Sequence, residues 1–192
     1  SGAFHSILFM RNGIVEKGYE TFLALNEEAK ETSLLSKDSE RCYFYDFPKP
    51  KKGKSLDYYF QYFVQNIKSI NFLVNLIRKE EVSLVHINEI LDIYAGLAAK
   101  IAGVPCVWHV RADLTKAPKI RWLLPRLTKF LASKIIVVSD SVKSRLFGEL
   151  VGNNIVVINN PGPEPSEFHV GLDGSDVRKE FGIPNDAFLI TL

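Results

Sequence analysis

The sequence predicts an α/β fold, a doubly wound parallel sheet with helices on both faces. Three observations predict it. Strand-like and helix-like segments alternate along the 192 residues. Lys134-Ile-Ile-Val-Val138 is a β-branched run without polar alternation, the composition of a strand covered on both sides by helices. Residues 82–110 read as strand, helix, capping glycine and strand in succession.

Taken in order, Phe4, Ile7, Leu8, Met10, Ile14 and Val15 recur near helical spacing, and Gly18 stops the helix. Glu20 to Leu25 and Arg41 to Asp46 are short apolar runs suited to buried strands, joined by polar residues. Phe47 to Lys54 is a loop by its prolines and glycine. From Leu56 through Phe63, Ile67, Leu73 and Ile77 the apolar residues hold one helical stripe, ending in Arg78-Lys-Glu-Glu81. Val82 to Ile87 is the next strand, Ile90 to Ala102 a helix capped by Gly103, and Val104 to Val110 a strand. Helices are expected at about Lys119 to Ala132 and at Ser141 to Leu150, with a strand at Asn154 to Ile158. Asn159 to Pro165 is rich in turn residues and reads as an exit from the domain. Asp173 to Phe181 reads as a helix and Ala187 to Leu192 as a strand. Doubly wound domains open on a strand, whereas this chain opens on a helix. A first strand and its loop are therefore expected outside the given residues.

Composition narrows the function classes. At 46% hydrophobic and 24% charged, the chain has apolar material for one buried core. A formal net charge of +2 gives no general reason to bind a polyanion, so nucleic acid is not an expected partner. Cys42 and Cys106 have no Cys or His at ligand spacing, His86 and Asn88 straddle a strand end, and His5, His109 and His169 stand apart, so no metal site is expected. No apolar run approaches the roughly 20 residues needed to span a bilayer, and a cytoplasmic location is the default expectation. Neither Gly-x-Gly-x-x-Gly after a strand, nor a P-loop, nor Gly-x-Ser-x-Gly occurs.

In a doubly wound sheet, ligands bind outside the carboxyl ends of the strands, which directs attention to the loops after Ile87, Val110, Val138 and Ile158. The residues there carry a resemblance: Val85-His-Ile-Asn88, Ala95 to Pro105 running a helix into Gly-Val-Pro, Trp108-His-Val-Arg111, and Ile135-Ile-Val-Val-Ser139. Ser1-Gly2-Ala3 before a helix, Glu16 to Leu23, Ile155 to Phe168, and Val177-Arg-Lys-Glu-Phe-Gly-Ile-Pro184 extend it over almost the whole chain. In this order and spacing the segments resemble the amino-terminal domain of family 4 glycosyltransferases, which have the two-domain GT-B fold. The resemblance implies a Rossmann-like acceptor-side domain over residues 1–168, then a linker and the start of a donor-binding domain over 169–192. Two departures stand out. Asn160-Pro161-Gly162 interrupts the usual Asn-Gly, and the paired-glutamate donor motif of the second domain is, by the resemblance, expected past Leu192.

The resemblance implies a hexosyltransferase that moves a sugar from a nucleotide sugar to an acceptor hydroxyl, with retention of configuration. This part would form the acceptor wall of the cleft and would be inactive alone. The resemblance also implies no cofactor, with the nucleotide sugar as a co-substrate held by the second domain, and a saccharide or lipid-linked acceptor. The competing expectations are a non-catalytic sugar- or partner-binding module, and a GT-B epimerase or phosphorylase.

By resemblance, His109 corresponds to the catalytic histidine that faces the transferred sugar, and an imidazole there can hydrogen-bond a hydroxyl or developing charge. The plainer alternative is a histidine satisfied by backbone. Arg111 would supply a cation to a phosphate, or else pair with Asp113 at the surface. Asn88 and Glu89 would read acceptor hydroxyls, although the favoured use of Asn88 is to cap a helix starting at Ile90. Ser139 lies at a strand-to-helix turn suited to an anion, with Ser141 the expected cap. Gly2 and Ala3 mark the loop that, in the family, approaches the donor phosphates. Residues 111–134 carry seven Lys/Arg against one Asp, interleaved with Trp122, Leu123, Leu124, Leu127 and Phe130. That stretch would suit peripheral membrane contact, but the preferred reading is a helix packed on the sheet with its charges in water.

Overall fold

A computed structural model describes residues 2–31, 41–49, 51, 54–111, 118–148, 150, 152–160 and 173–188. Contacts divide the chain into two units, 1–159 and 160–192. The expected domain boundary at 168/169 lies outside the described residues.

The first unit contains helices α1 (Gly2–Glu16), α2 (Leu56–Lys79), α3 (Ile93–Ala102), α4 (Pro118–Leu131) and α5 (Asp140–Phe147). Its strands are β1 (Leu23–Asn26), β2 (Cys42–Tyr45), β3 (Val85–Ile87), β4 (Cys106–Val110), β5 (Lys134–Val137) and β6 (Ile155–Val157). A 3-10 turn, Glu27–Glu31, occupies part of the polar stretch between β1 and β2. Every strand pairing is parallel, as the unalternated β-branched composition predicts. Among the described residues the strands form a pair, β1-β2, and a sheet of four, β3-β4-β5-β6.

One face of the four-stranded sheet supplies Ile87, Trp108, Val110, Ile135, Val137 and Ile155 to a core closed by Ala99 of α3, Leu131 of α4, and Leu146 and Phe147 of α5. Gly96 is the contact that lets α3 lie this close. A Cβ on it would stand 2.5 Å from Cζ3 of Trp108, whose side chain is fully buried. A second cluster joins Phe47, which follows β2, to Leu73, Val74 and Ile77 of α2 and to Tyr94 and Ala98 of α3. The Phe47 and Tyr94 rings stack there at 5.3 Å.

Helix α2 shows where periodicity and burial part. Its stripe is buried at Leu73, Val74 and Ile77, yet Leu56, Phe60 and Phe63 towards its start are exposed. The helix opens as the sequence requires, with Ser55 Oγ accepting from Tyr58 N. At the far end Glu81 adopts a positive φ of 48°, and Val82 N donates to Ile77 O at 2.9 Å. Val82 is thus consumed in ending the helix, and the strand expected from Val82 begins at Val85. Gly103 is the αL cap of α3, as expected (φ 75°).

Helix α4 departs from the expected division into an apolar inside and a charged outside. Pro125, Thr128 and Leu131 are buried, while Trp122, Leu123 and Phe130 are exposed. Cations lie over two of these rings: the Arg126 guanidinium is 4.4 Å from Trp122, and Lys100 Nζ is 4.9 Å from Phe130.

The second unit contains α6 (Ser175–Glu180), shorter than the expected 173–181. Of the strand expected at 187–192, residues 187 and 188 are not in a strand, and the rest lie outside the described residues.

Candidate functional site

Because β3 to β6 are all parallel, their carboxyl ends share one edge, and the residues just beyond β3, β4 and β5 gather there. Ile87 is registered with Trp108, so Asn88 stands level with His109. His86 is registered with Val107, two residues before His109, so the two histidines share the sheet face opposite the core. Their rings meet edge to face, with centroids 5.7 Å apart.

Arg111 joins the two loops. Its Nε donates to Asn88 Oδ1 at 3.0 Å, and one terminal nitrogen lies 3.2 Å from His109 Nδ1. His109, Arg111 and Asn88 therefore form one connected group. His109 is only 8% exposed, and its Nε2, like that of His86, is buried without a protein partner among the described residues. Burial, then the Arg111 charge, then His86 push the His109 pKa down to about 4. Burial and Arg111 do the same to His86, also to about 4. Both imidazoles are neutral near pH 7. Burial lowers the pKa of Arg111, opposed by the nearby Glu89 carboxylate.

The other expected residues have different fates. Asn88 does not cap a helix: α3 begins at Ile93, after the turn from Ile90 to Asp92. The Ile90 N–H is taken instead by Glu89 Oε1 at 2.9 Å, which leaves the Asn88 side chain to Arg111. Glu89 is held twice, since its carbonyl also accepts from Trp108 Nε1 at 2.9 Å. Its described contacts make it a turn-fixing residue and a counter-charge for Arg111. Ser139, not Ser141, caps α5, with Oγ accepting from Val142 N at 3.2 Å. Gly2 and Ala3 lie in the first turn of α1 instead of a loop. The helical pattern that starts at Phe4 extends back to Gly2, so these two residues belong to the turn whose N–H groups have no acceptor within the helix. Asp113, the alternative partner for Arg111, lies outside the described residues.

In the sequence His86 stands out only as a rejected metal ligand, and its contact with His109 emerges in the fold. The signal was present in the alternation His86-x-Asn88, which puts both at the strand end beside the strand carrying His109. No group of three or more His, Cys, Asp or Glu residues able to hold a metal occurs among the described residues. Nor is any described helix long and apolar enough to cross a membrane. Beside the site, the Asp92 carboxyl accepts from Tyr94 Oη at 3.0 Å, and burial raises its pKa to about 6. A hollow on the second unit, lined by Ser175, Asp176 and Lys179 among others, contains none of the candidate residues.

Comparison with known proteins agrees with this architecture. The chain is 26% identical over 140 residues to the Escherichia coli UDP-Gal:alpha-D-GlcNAc-diphosphoundecaprenol alpha-1,3-galactosyltransferase, an alignment covering 67% of this chain and 36% of that protein. Anabaena Alr3699/HepE, solved with UDP and glucose, superposes with a TM-score of 0.52 at 19% identity, covering 78% of this chain and 39% of that one. MurG of Acinetobacter baumannii superposes at 0.54 and 15% identity, covering 84% and 43%. These structures show a shared fold, and the chain spans well under two thirds of each relative. The model of Glycosyltransferase Family 4 matches residues 2–161. With the superposed fold and the family match in agreement over most of its length, the chain belongs to glycosyltransferase family 4.

Proposed function

We propose that the chain forms the acceptor-side wall of a sugar-transferring enzyme, which moves a hexose from a nucleotide sugar to an acceptor hydroxyl. One observation carries the reading: the buried His109, tied through Arg111 to Asn88, stands at the carboxyl edge of a parallel sheet with a ring nitrogen that has no partner among the described residues. In this role His109 hydrogen-bonds the sugar or the group it is transferred to, and Arg111 and Asn88 hold its ring. The donor would be held by a second domain facing this edge, and the reading assigns no cofactor besides the nucleotide sugar itself. The names of the relatives support a UDP-linked donor and a lipid-diphosphate-linked acceptor. A lipid-linked acceptor fits a cytoplasmic enzyme touching the membrane surface, and the exposed Trp122, Leu123 and Phe130 beside Arg126 and Lys100 suit such contact.

The test is a transfer assay of the complete encoded protein over a panel of nucleotide sugars, with acceptors free and embedded in anionic vesicles. His109→Ala is expected to lower turnover by about 10²-fold, the scale of losing one preorganised donor. Full turnover by that variant would remove His109 from the reaction. No transfer from any donor would favour a binding module, and interconversion of the nucleotide sugar without transfer would favour an epimerase.

A further inference from the structure

The direction of the hydrogen bonds around His109 follows from the chemistry of its neighbour. A guanidinium has five N–H donors and no acceptor, so the 3.2 Å contact between Arg111 and His109 Nδ1 can only run from arginine to histidine. Nδ1 is then the ring's acceptor. In a neutral imidazole the other nitrogen must carry the proton. We propose that Arg111 is a positioning residue that locks His109 in the Nε2–H tautomer, so that His109 meets its ligand as a hydrogen-bond donor to an oxygen and cannot serve as a base.

Three observations stand behind this. Arg111 is itself fixed, with Nε bound to Asn88 Oδ1 at 3.0 Å, so the guanidinium is aimed by two loops and not by chance rotation. His109 is more than nine-tenths buried as a residue, and Nε2 has no acceptor among the described residues. An enclosed N–H without an acceptor is costly, which implies a partner supplied from outside. The depressed basicity of the ring agrees with this, because a neutral imidazole retains the tautomer choice that protonation would erase. The partner chemistry follows: an oxygen with a free lone pair, such as a sugar hydroxyl or a phosphate oxygen.

The proposal rests on the site assigned above, but its first test needs no sugar. In the complete protein labelled with 15N-histidine, His109 is assigned by loss of its signal in His109→Gln. At pH 7 it is expected to show protonated Nε2 and bare Nδ1. Arg111→Met is expected to release the ring into a mixture of tautomers, and Arg111→Lys, which keeps a donor, to restore the original pattern in part. Protonation of Nδ1 in the parent, or an unchanged pattern in Arg111→Met, overturns the proposal whatever the enzyme turns over. A second readout separates donor from base. The glutamine amide can place an N–H near the Nε2 position, so His109→Gln is expected to keep at least tenfold more turnover than His109→Ala. Equal loss in both would overturn the donor role while leaving the proposed reaction standing.

Discussion

Replacing Gly96 by alanine tests the packing that supports the site. An added Cβ would lie 2.5 Å from Trp108 Cζ3, 2.9 Å from Trp108 Cη2 and 3.2 Å from Leu131 Cδ1. Trp108 cannot simply swing away. It is fully buried, and its Nε1 holds the carbonyl of Glu89, so relief must come from spreading α3 from the sheet or straining the loop after β3. Overpacking of this kind costs about 1–3 kcal/mol. Alanine returns up to about 1 kcal/mol of helix propensity over glycine. A 2.5 Å contact with a ring that cannot move puts the cost in the upper half of that range, so the net expectation is a loss of about 1–2 kcal/mol, which at about 2–4 °C per kcal/mol for a chain of this size lowers the melting temperature by about 2–8 °C. Gly13, also helical, has nothing within 4 Å of an added Cβ, so Gly13→Ala should gain about 0.5–1 kcal/mol. Thermal and urea unfolding of both variants measure the contrast. If Gly96→Ala melts at or above the parent, the close approach of α3 to Trp108 is not a feature of the molecule.

The two buried imidazoles predict a pH dependence. Their folded pKa values, about 4, lie below the ordinary 6.5, so their contribution is fully present above pH 6.5 and is lost as pH falls towards 4. Discounted for solvent screening, the loss is about 1–3 kcal/mol per group. The double variant His86→Gln, His109→Gln should therefore show a flatter fall in urea midpoint between pH 7 and pH 4.5 than the parent. Asp92 titrates in the opposite sense, its raised pKa favouring the fold at low pH, but it is common to both proteins and cancels in the difference. An identical slope in both proteins would contradict the burial of the pair. Ser139→Ala should cost about 1 kcal/mol through loss of the α5 cap, whereas Ser141→Ala should be close to neutral. The reverse order would return the cap to Ser141.

Much of the fold was legible because local rules state it. The β-branched run at β5, the glycine cap at Gly103 and the helical periodicity of α2 each follow from short-range sterics, and their alternation implies parallel pairing. Element edges were less legible, because they depend on which backbone groups are already engaged. Val82 is absorbed in closing α2, and Ile90 donates to the Glu89 side chain, so a strand and a helix each begin three residues later than their apolar pattern suggests. The same pattern could not show that α2 buries one end of its stripe and exposes the other, since burial depends on what the fold brings alongside.

For the site, residue chemistry alone locates the strand ends, and hence puts His109, Arg111, Asn88 and Ser139 on one edge. Which of them act together follows from the folded arrangement. Asn88 and Arg111 are 23 residues apart and meet because β3 and β4 are neighbours in register, while Ser139, on the same edge, turns its hydroxyl to its own helix. Strand ends are a property of local chain chemistry. The partner of a side chain depends on lateral register and on competing donors, which are fixed only when the strands have come together.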